Sequence, residues 1–295
     1  MSSIVLNVLV LAITLLMMVS VGLSLEVHHF LALSKIKLQI IGLLVAQTLI
    51  LPLIGLLTIS LITLPNHIKL GVLLLAACPI GDIANFYVML ARANAAISVT
   101  LNSLSCAFAA ITIPLAFICY SKILGYSLTY SVTYSQLITR LILLTFVPLG
   151  TGMLFRHLKP VLAERVLSYC RFLCTVGIIF IIVQMFITQY ERLADAWRPT
   201  LLSASFMLIG STLVGISVAR ILRVPESLKF GSSIVFPVRN IGLALAMSIS
   251  LANRLDNASF ALIFFLVEVP LLLGRVAYHR LRAQQHAPND ATLAV

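Results

Sequence analysis

The sequence predicts an all-α membrane protein of about nine transmembrane helices, two of them broken midway and crossing. Three observations predict it. Hydrophobic residues make up 61% of the 295-residue chain and charged residues only 10%, with a mean hydropathy of +1.10, far outside the range of soluble domains. Apolar runs of about 18 residues or more recur from end to end, each long enough to cross a hydrocarbon core about 30 Å thick. Finally, two stretches place proline, glycine and polar or charged groups in the middle of such runs. They are Cys78-Pro79-Ile80-Gly81-Asp82-Ile83-Ala84-Asn85 and Phe236-Pro237-Val238-Arg239-Asn240-Ile241-Gly242. A bilayer tolerates unwound backbone only where it is buried in protein or lines a wet cavity. A matched pair of interrupted helices, one in each half of a chain, points to the binding site of a transporter.

The spans fall at roughly 4–24, 38–62, 68–93, 96–120, 135–156, 167–188, 199–221, 227–252 and 256–278. The first lacks a basic leader region and runs on into Leu25-Glu26-Val27-His28-His29, so it reads as a retained span and not a cleaved signal peptide. The third and eighth carry the two breaks. Connections are short, so residues 1–282 read as a single transmembrane domain. The polar residues 283–295, beginning Ala-Gln-Gln-His-Ala-Pro-Asn-Asp, read as a disordered cytoplasmic tail.

The net charge of +11 does not indicate nucleic acid, because the basic residues are scattered over connections and not gathered on one face. They divide by side instead. Thirteen, from Lys35 and Lys37 through Arg92, Arg156, Arg171 and Arg223 to Arg275, Arg280 and Arg282, lie on one side of the nine-span threading. Six lie on the other: Lys69, Lys122, Arg140, Arg192, Arg198 and Arg254. The richer side is the cytoplasmic one, which puts the N-terminus outside and the C-terminus inside. Arg239 is left within the membrane. The five cysteines, Cys78, Cys106, Cys119, Cys170 and Cys174, show no metal-ligand spacing and read as structural thiols.

The broken third and eighth spans are five apart and so cross in opposite directions. An inverted repeat gives that result if the first five-helix unit lacks its opening helix.

At the residue level, Cys78-Pro79-x-Gly81-x-x-Ala84-Asn85 followed by Ala96-Ile97-Ser98-Val99-Thr100 resembles signatures of the bile acid:sodium symporter family, cysteine-proline-glycine-glycine and alanine-leucine-serine-valine. Arg239-Asn240-Ile241-Gly242-Leu243-Ala244 is similar to that family's second crossover. Val21-Gly22-Leu23-Ser24-Leu25 and Ala46-Gln47-Thr48-x-x-x-Pro52 match the helices before the first. The resemblance implies a panel domain and a core domain, nine helices with the family's first one absent, and carriage of organic anions.

The same resemblance implies two sodium sites behind the crossover, and here the sequence departs. Val235 stands for a ligating glutamate, Arg239 for a glutamine, Ala84 for a serine and Asn102 for a threonine, while Gln47, Asn85 and Ser98 are retained. Val235 offers no side-chain oxygen, and Arg239 brings a permanent cation into the same volume. Two like charges about 4 Å apart repel by about 4 kcal/mol even at an effective dielectric of 20. Sodium in the family's manner is therefore not expected, no metal or other cofactor is assigned, and Arg239 is expected to stand in for a cation. The alternative is sodium symport through a site rebuilt from Gln47, Asn85, Ser98, Asn102 and Asp82.

An intramembrane arginine needs a partner or water. Two acids lie at membrane depth, Asp82 in the first break and Glu268 in the last span. Either can neutralise Arg239, Arg239 can instead hold a substrate carboxylate, or one of the acids can take up a proton in each cycle. The blander readings are that Asp82 is a helix N-cap, that Glu268 sits near the interface, that Asn85 and Asn240 satisfy unwound backbone, and that Gly81 and Gly242 permit tight crossing. His28, His29 and His67 lie in connections, which argues against a histidine relay.

No Ser/His/Asp ordering, metal-ligand pair or phosphate-cradling loop is present, so an enzyme is not expected. The reading is a multi-pass carrier in a bacterial inner membrane that moves a small organic anion, bile-acid-like or another carboxylate, by alternating access. Its partners are that anion and the lipid bilayer. Substrate contacts are expected from Asp82, Ile83, Asn85, Arg239, Asn240, Ile241 and Glu268. A channel, or a receptor that binds without transporting, is the alternative on the same fold.

Overall fold

A computed structural model describes residues 3–24, 36–124, 136, 139, 142–252 and 259–285, and these are almost wholly helical. In chain order the helices are α1 (Ser3–Ser24), α2 (Lys37–Leu61), α3 (Asn66–Ala77), α4 (Ile83–Leu90), α5 (Ala96–Leu124), a π turn (Ile142–Phe146), α6 (Val147–Leu158), α7 (Pro160–Ile221), α8 (Glu226–Ile234), α9 (Ile241–Ala252) and α10 (Ser259–Gln285). The protein is an all-α membrane protein. Lys37–Leu61, Trp197–Ile221 and Ser259–Gln285 are each long and apolar enough to span. The two arms of α5, Ala96–Ala109 and Ile111–Tyr120, qualify together across a 64° bend. Pro114 explains that bend, because its missing N–H leaves the carbonyl four residues earlier without a helical partner.

Helix α2 shows how the bundle meets lipid. Leu38, Ile41, Val45, Leu49, Leu53 and Leu57 recur at helical spacing and are exposed, while Leu43, Gln47, Leu51, Ile54 and Thr58 on the opposite face are buried. The apolar stripe faces outward and the polar groups inward, the reverse of a soluble helix. Helices α1 and α6 approach backbone to backbone: a Cβ on Gly152 would lie 3.0 Å from the Cα of Gly22, the small-residue contact that membrane helices use to pack closely.

The expected third and eighth spans are the broken pairs α3/α4 and α8/α9, with the breaks where the sequence places them. Two boundaries differ. The expected spans 167–188 and 199–221 belong to one helix of 62 residues, α7, because the linking Tyr190–Trp197 stretch contains neither glycine nor proline and its residues can carry the helix onward. The last helix extends to Gln285, so residues 283–285 are helical. The rest of the expected tail, His28-His29 and the start of the fifth span lie outside the described residues.

Helices α4 and α7 end alike. Arg92 and Arg223 adopt φ of 55° and 52°. In each case the following N–H (Ala93, Val224) reaches back to Val88 or Ala219 at 3.1 and 3.0 Å, closing a left-handed helix stop normally occupied by glycine.

Candidate functional site

The two breaks meet. Ile80 and Arg239 pair as an isolated antiparallel bridge, with Gly81 N–H donating to the Val238 carbonyl at 3.3 Å and Asn240 N–H to the Pro79 carbonyl at 2.9 Å. Pro79 and Pro237 end the incoming helical hydrogen bonding, and each break then supplies the other's missing partners. A third donor is satisfied from α5, where Ser105 Oγ accepts the Ile80 N–H at 3.1 Å. Gly81 is required here, since a Cβ on it would lie 2.5 Å from the Arg239 carbonyl oxygen. Gly242 plays a different part from the expected one: its open side faces α1, with Met17 Sδ 2.6 Å from where a Cβ would be. Thr14 of α1 donates to the Gly242 carbonyl at 3.0 Å.

Asn240 caps α9, its Oδ1 accepting Leu243 N–H at 2.9 Å. Asp82 occupies the matching position before α4, but its side chain makes no capping hydrogen bond. Its carboxylate instead accepts from Asn102 Nδ2 on α5. The N-cap reading of Asp82 is therefore corrected: the first turn of α4 is closed by the Gly81 and Asp82 carbonyls, and the carboxylate is drawn sideways to Asn102. The charge within electrostatic reach of Asp82 is Arg171 on α7, and no ion pair joins Asp82 to Arg239.

Arg239 is only 4% exposed, and its Nε and Nη1 have no hydrogen-bond partner. It lines a cavity of about 10 Å³ with Gln47, Thr48, Ser105 and Thr112, and Gln47 Oε1 is likewise buried without a partner. A space of that size takes a group no larger than one water, so this cavity has no room for an organic substrate. Glu268 is fully buried, and neither of its oxygens has a partner. It forms no ion pair with Arg239, although the two are within electrostatic reach. Glu268 thus lies in the first half of α10, on its buried face.

Among the remaining cation-site equivalents, Ala84 and Val235 are fully buried and bring no side-chain oxygen. Ser98 Oγ donates to the Ala95 carbonyl at 3.0 Å within its own segment. Asn85 is half-buried, with its Oδ1 unpartnered. Ile83 and Ile241 are half-buried beside the crossing. The structure thus gathers Arg239 with Gln47, and Asp82 with Asn102, in two neighbouring clusters.

Sequence reasoning missed Ser105, although a signal existed: Ser98, Asn102 and Ser105 recur at i, i+4 and i+7 and share one face of α5. It also missed Tyr87, buried with its hydroxyl unpartnered and within electrostatic reach of Glu268. Arg275, placed by sequence on the basic-rich side near the end of the ninth span, donates to Ser233 Oγ at 3.0 Å and lies over the Phe230 ring at 5.8 Å.

Comparison with known proteins places these features. A family model described as Sodium Bile acid symporter family matches residues 10–196, which includes the first crossover and stops short of the second. An uncharacterized sodium-dependent transporter of Bacillus subtilis (strain 168), YocS, is 32% identical over 105 residues, 36% of this chain and 33% of its own. The human P3 protein is 25% identical over 228 residues, 76% of this chain and 46% of its own. Sodium/bile acid cotransporter 4 of Rattus norvegicus is 24% identical over 246 residues, 82% of this chain and 56% of its own. The matches thus span from a third to just over half the length of these curated relatives. With the family model covering well over half of the sequence, the chain belongs to the sodium bile acid symporter family.

Proposed function

We propose that this protein is a secondary active carrier of a small organic anion, working by alternating access without sodium, with Arg239 serving as a built-in cation. One observation carries the reading: the guanidinium is buried at the crossing beside Gln47, with Nε and Nη1 unpartnered. A sodium ion there would face a permanent positive charge without the carboxylate that Val235 has lost. The substrate anion is then held outside that cavity, on the open side of the crossing near Asp82, Ile83, Asn85 and Ile241. The helix starts at α4 and α9 favour negative charge there. The excess of basic residues on one side supports a cytoplasmic C-terminus, and a bacterial inner membrane is the setting we assign to the carrier.

A second reading is favoured by Asp82 and Asn85. A carboxylate held by Asn102, near an unpartnered carboxamide oxygen, supplies oxygens of the kind a rebuilt sodium site needs, and two of the relatives carry sodium in their names. Uptake of labelled organic acids into proteoliposomes, in sodium and in choline buffer, separates the two. Equal uptake in both, with Arg239→Gln strongly impaired, supports the built-in cation. Uptake that requires sodium overturns it.

A further inference from the structure

We infer that Glu268 is the coupling proton site of this carrier, protonated in the conformation described and deprotonated when the crossing opens toward water. The inference rests on the carrier reading above. It begins from the geometry of α10. Glu268 has no exposed surface, and both carboxyl oxygens lack partners. An ionised carboxylate in that position would carry its whole desolvation penalty with no compensating donor, so the neutral acid is the form this environment holds.

The crossing between α8 and α9 contributes Arg239, within electrostatic reach but not in contact. From α4 comes Tyr87, whose hydroxyl is also unpartnered. The apolar part of α3, residues 70–77, contains no titratable side chain, nor does α9, nor residues 199–219 of α7. Asp82, the other acid at this depth, accepts a hydrogen bond from Asn102, so its charge meets a donor that Glu268 lacks. The structure therefore distinguishes the two acids. One is hydrogen-bonded to α5, and the other is fully buried with both oxygens unpartnered and a guanidinium within electrostatic reach.

That arrangement has two states. With the proton bound, Glu268 is neutral and tolerates burial. Once the crossing shifts and water reaches it, the proton leaves to that compartment, and the carboxylate is stabilised by the Arg239 guanidinium, whose Nε and Nη1 lack partners. The carrier then returns without substrate, its carboxylate facing Arg239, and takes its next proton from the first compartment. Arg239 thus takes the place of a bound cation, and the proton replaces the ion that moves.

The test uses the full chain in phosphatidylethanolamine/phosphatidylglycerol liposomes. Infrared spectra are recorded first: a protonated-carboxyl stretch present in the wild type and absent in Glu268→Gln is expected, and identical spectra for the two would overturn the inference. Flux is then followed with labelled cholate as probe. A one-unit pH gradient should drive up to about tenfold accumulation in the wild type, one pH unit being 1.36 kcal/mol per proton. Glu268→Gln, a mimic of the neutral acid, should lose the gradient-driven accumulation but still exchange labelled for unlabelled cholate at zero gradient. Cholate accumulation that ignores the pH gradient, or that responds equally in Glu268→Gln, overturns the proton site and leaves the carrier reading intact. Sodium-dependent cholate flux sinks the carrier reading as framed.

Discussion

Ile80 and Arg239 lie opposite one another in an antiparallel bridge, so the residue that carries the intramembrane charge is also the one that joins the two broken helices. The backbone of Arg239 is fixed by the crossing, while its side chain reaches the Gln47 cavity. Changes to the joint therefore act on the charge, and changes to the charge leave the joint in place.

Gly81→Ala tests the joint. The new methyl would lie 2.5 Å from the Arg239 carbonyl oxygen, which is backbone and cannot swing aside. Overpacking of this kind costs about 1–3 kcal/mol, and displacing Arg239 should abolish uptake as well. Thermal unfolding in detergent, followed through tryptophan fluorescence of Trp197, measures the first effect. A variant as stable as wild type would show that the crossing has slack.

Arg239→Gln should not destabilise the fold. Removing one member of a buried ion pair costs about 3–5 kcal/mol because the other charge is stranded, whereas removing a buried charge that lacks good partners relieves its desolvation cost. With Glu268 neutral, nothing is stranded. Equal or higher thermal stability together with lost transport is expected. A drop of several kcal/mol would mean that Glu268 is ionised.

Asn102→Ala removes the amide that donates to Asp82. A buried acceptor left unsatisfied costs about 1–3 kcal/mol. Asp82→Asn on its own should cost less, because a carboxamide can still accept from Asn102. A double-mutant cycle on stability should return a coupling above about 0.5 kcal/mol, and strict additivity would count against the pair.

Arg92→Gly and Arg223→Gly should each stabilise the protein by about 0.5–1 kcal/mol, since both positions hold the left-handed conformation that glycine adopts freely. Chemical denaturation midpoints of the two single variants check this. A loss of stability in either would show that the arginine side chain supplies more than its backbone conformation costs.

Much of this architecture was legible in the sequence because the membrane enforces it. Long apolar runs had to be helices, and Pro79 with Gly81, or Pro237 with Asn240, could interrupt them only where protein covered the gap. That two such gaps in opposite repeats would meet followed from the inverted arrangement. What stayed hidden depended on side-chain direction. Asp82 was at a helix start, where capping is the local default, yet Asn102 on another helix captures it. Glu268 beside Pro270 suited either an interface or a core, and only the packing of α10 removes it fully from solvent. The continuous α7 was hidden for a different reason: two apolar stretches imply two spans whatever joins them, and the joining residues have ordinary helix propensity.

The contact between Gly22 and Gly152 has a mechanical corollary. With main chain resting on main chain, α1 and α6 have no cushion of side chains along which to slip, so this pair moves as a splint. Where α1 touches the second break, the materials are softer: the thioether of Met17, which adapts its shape readily, and one hydrogen bond from Thr14 to Gly242. Travel of the crossing past the splint would have to break the Thr14–Gly242 hydrogen bond and displace Met17, so this seam is softer than the one between α1 and α6.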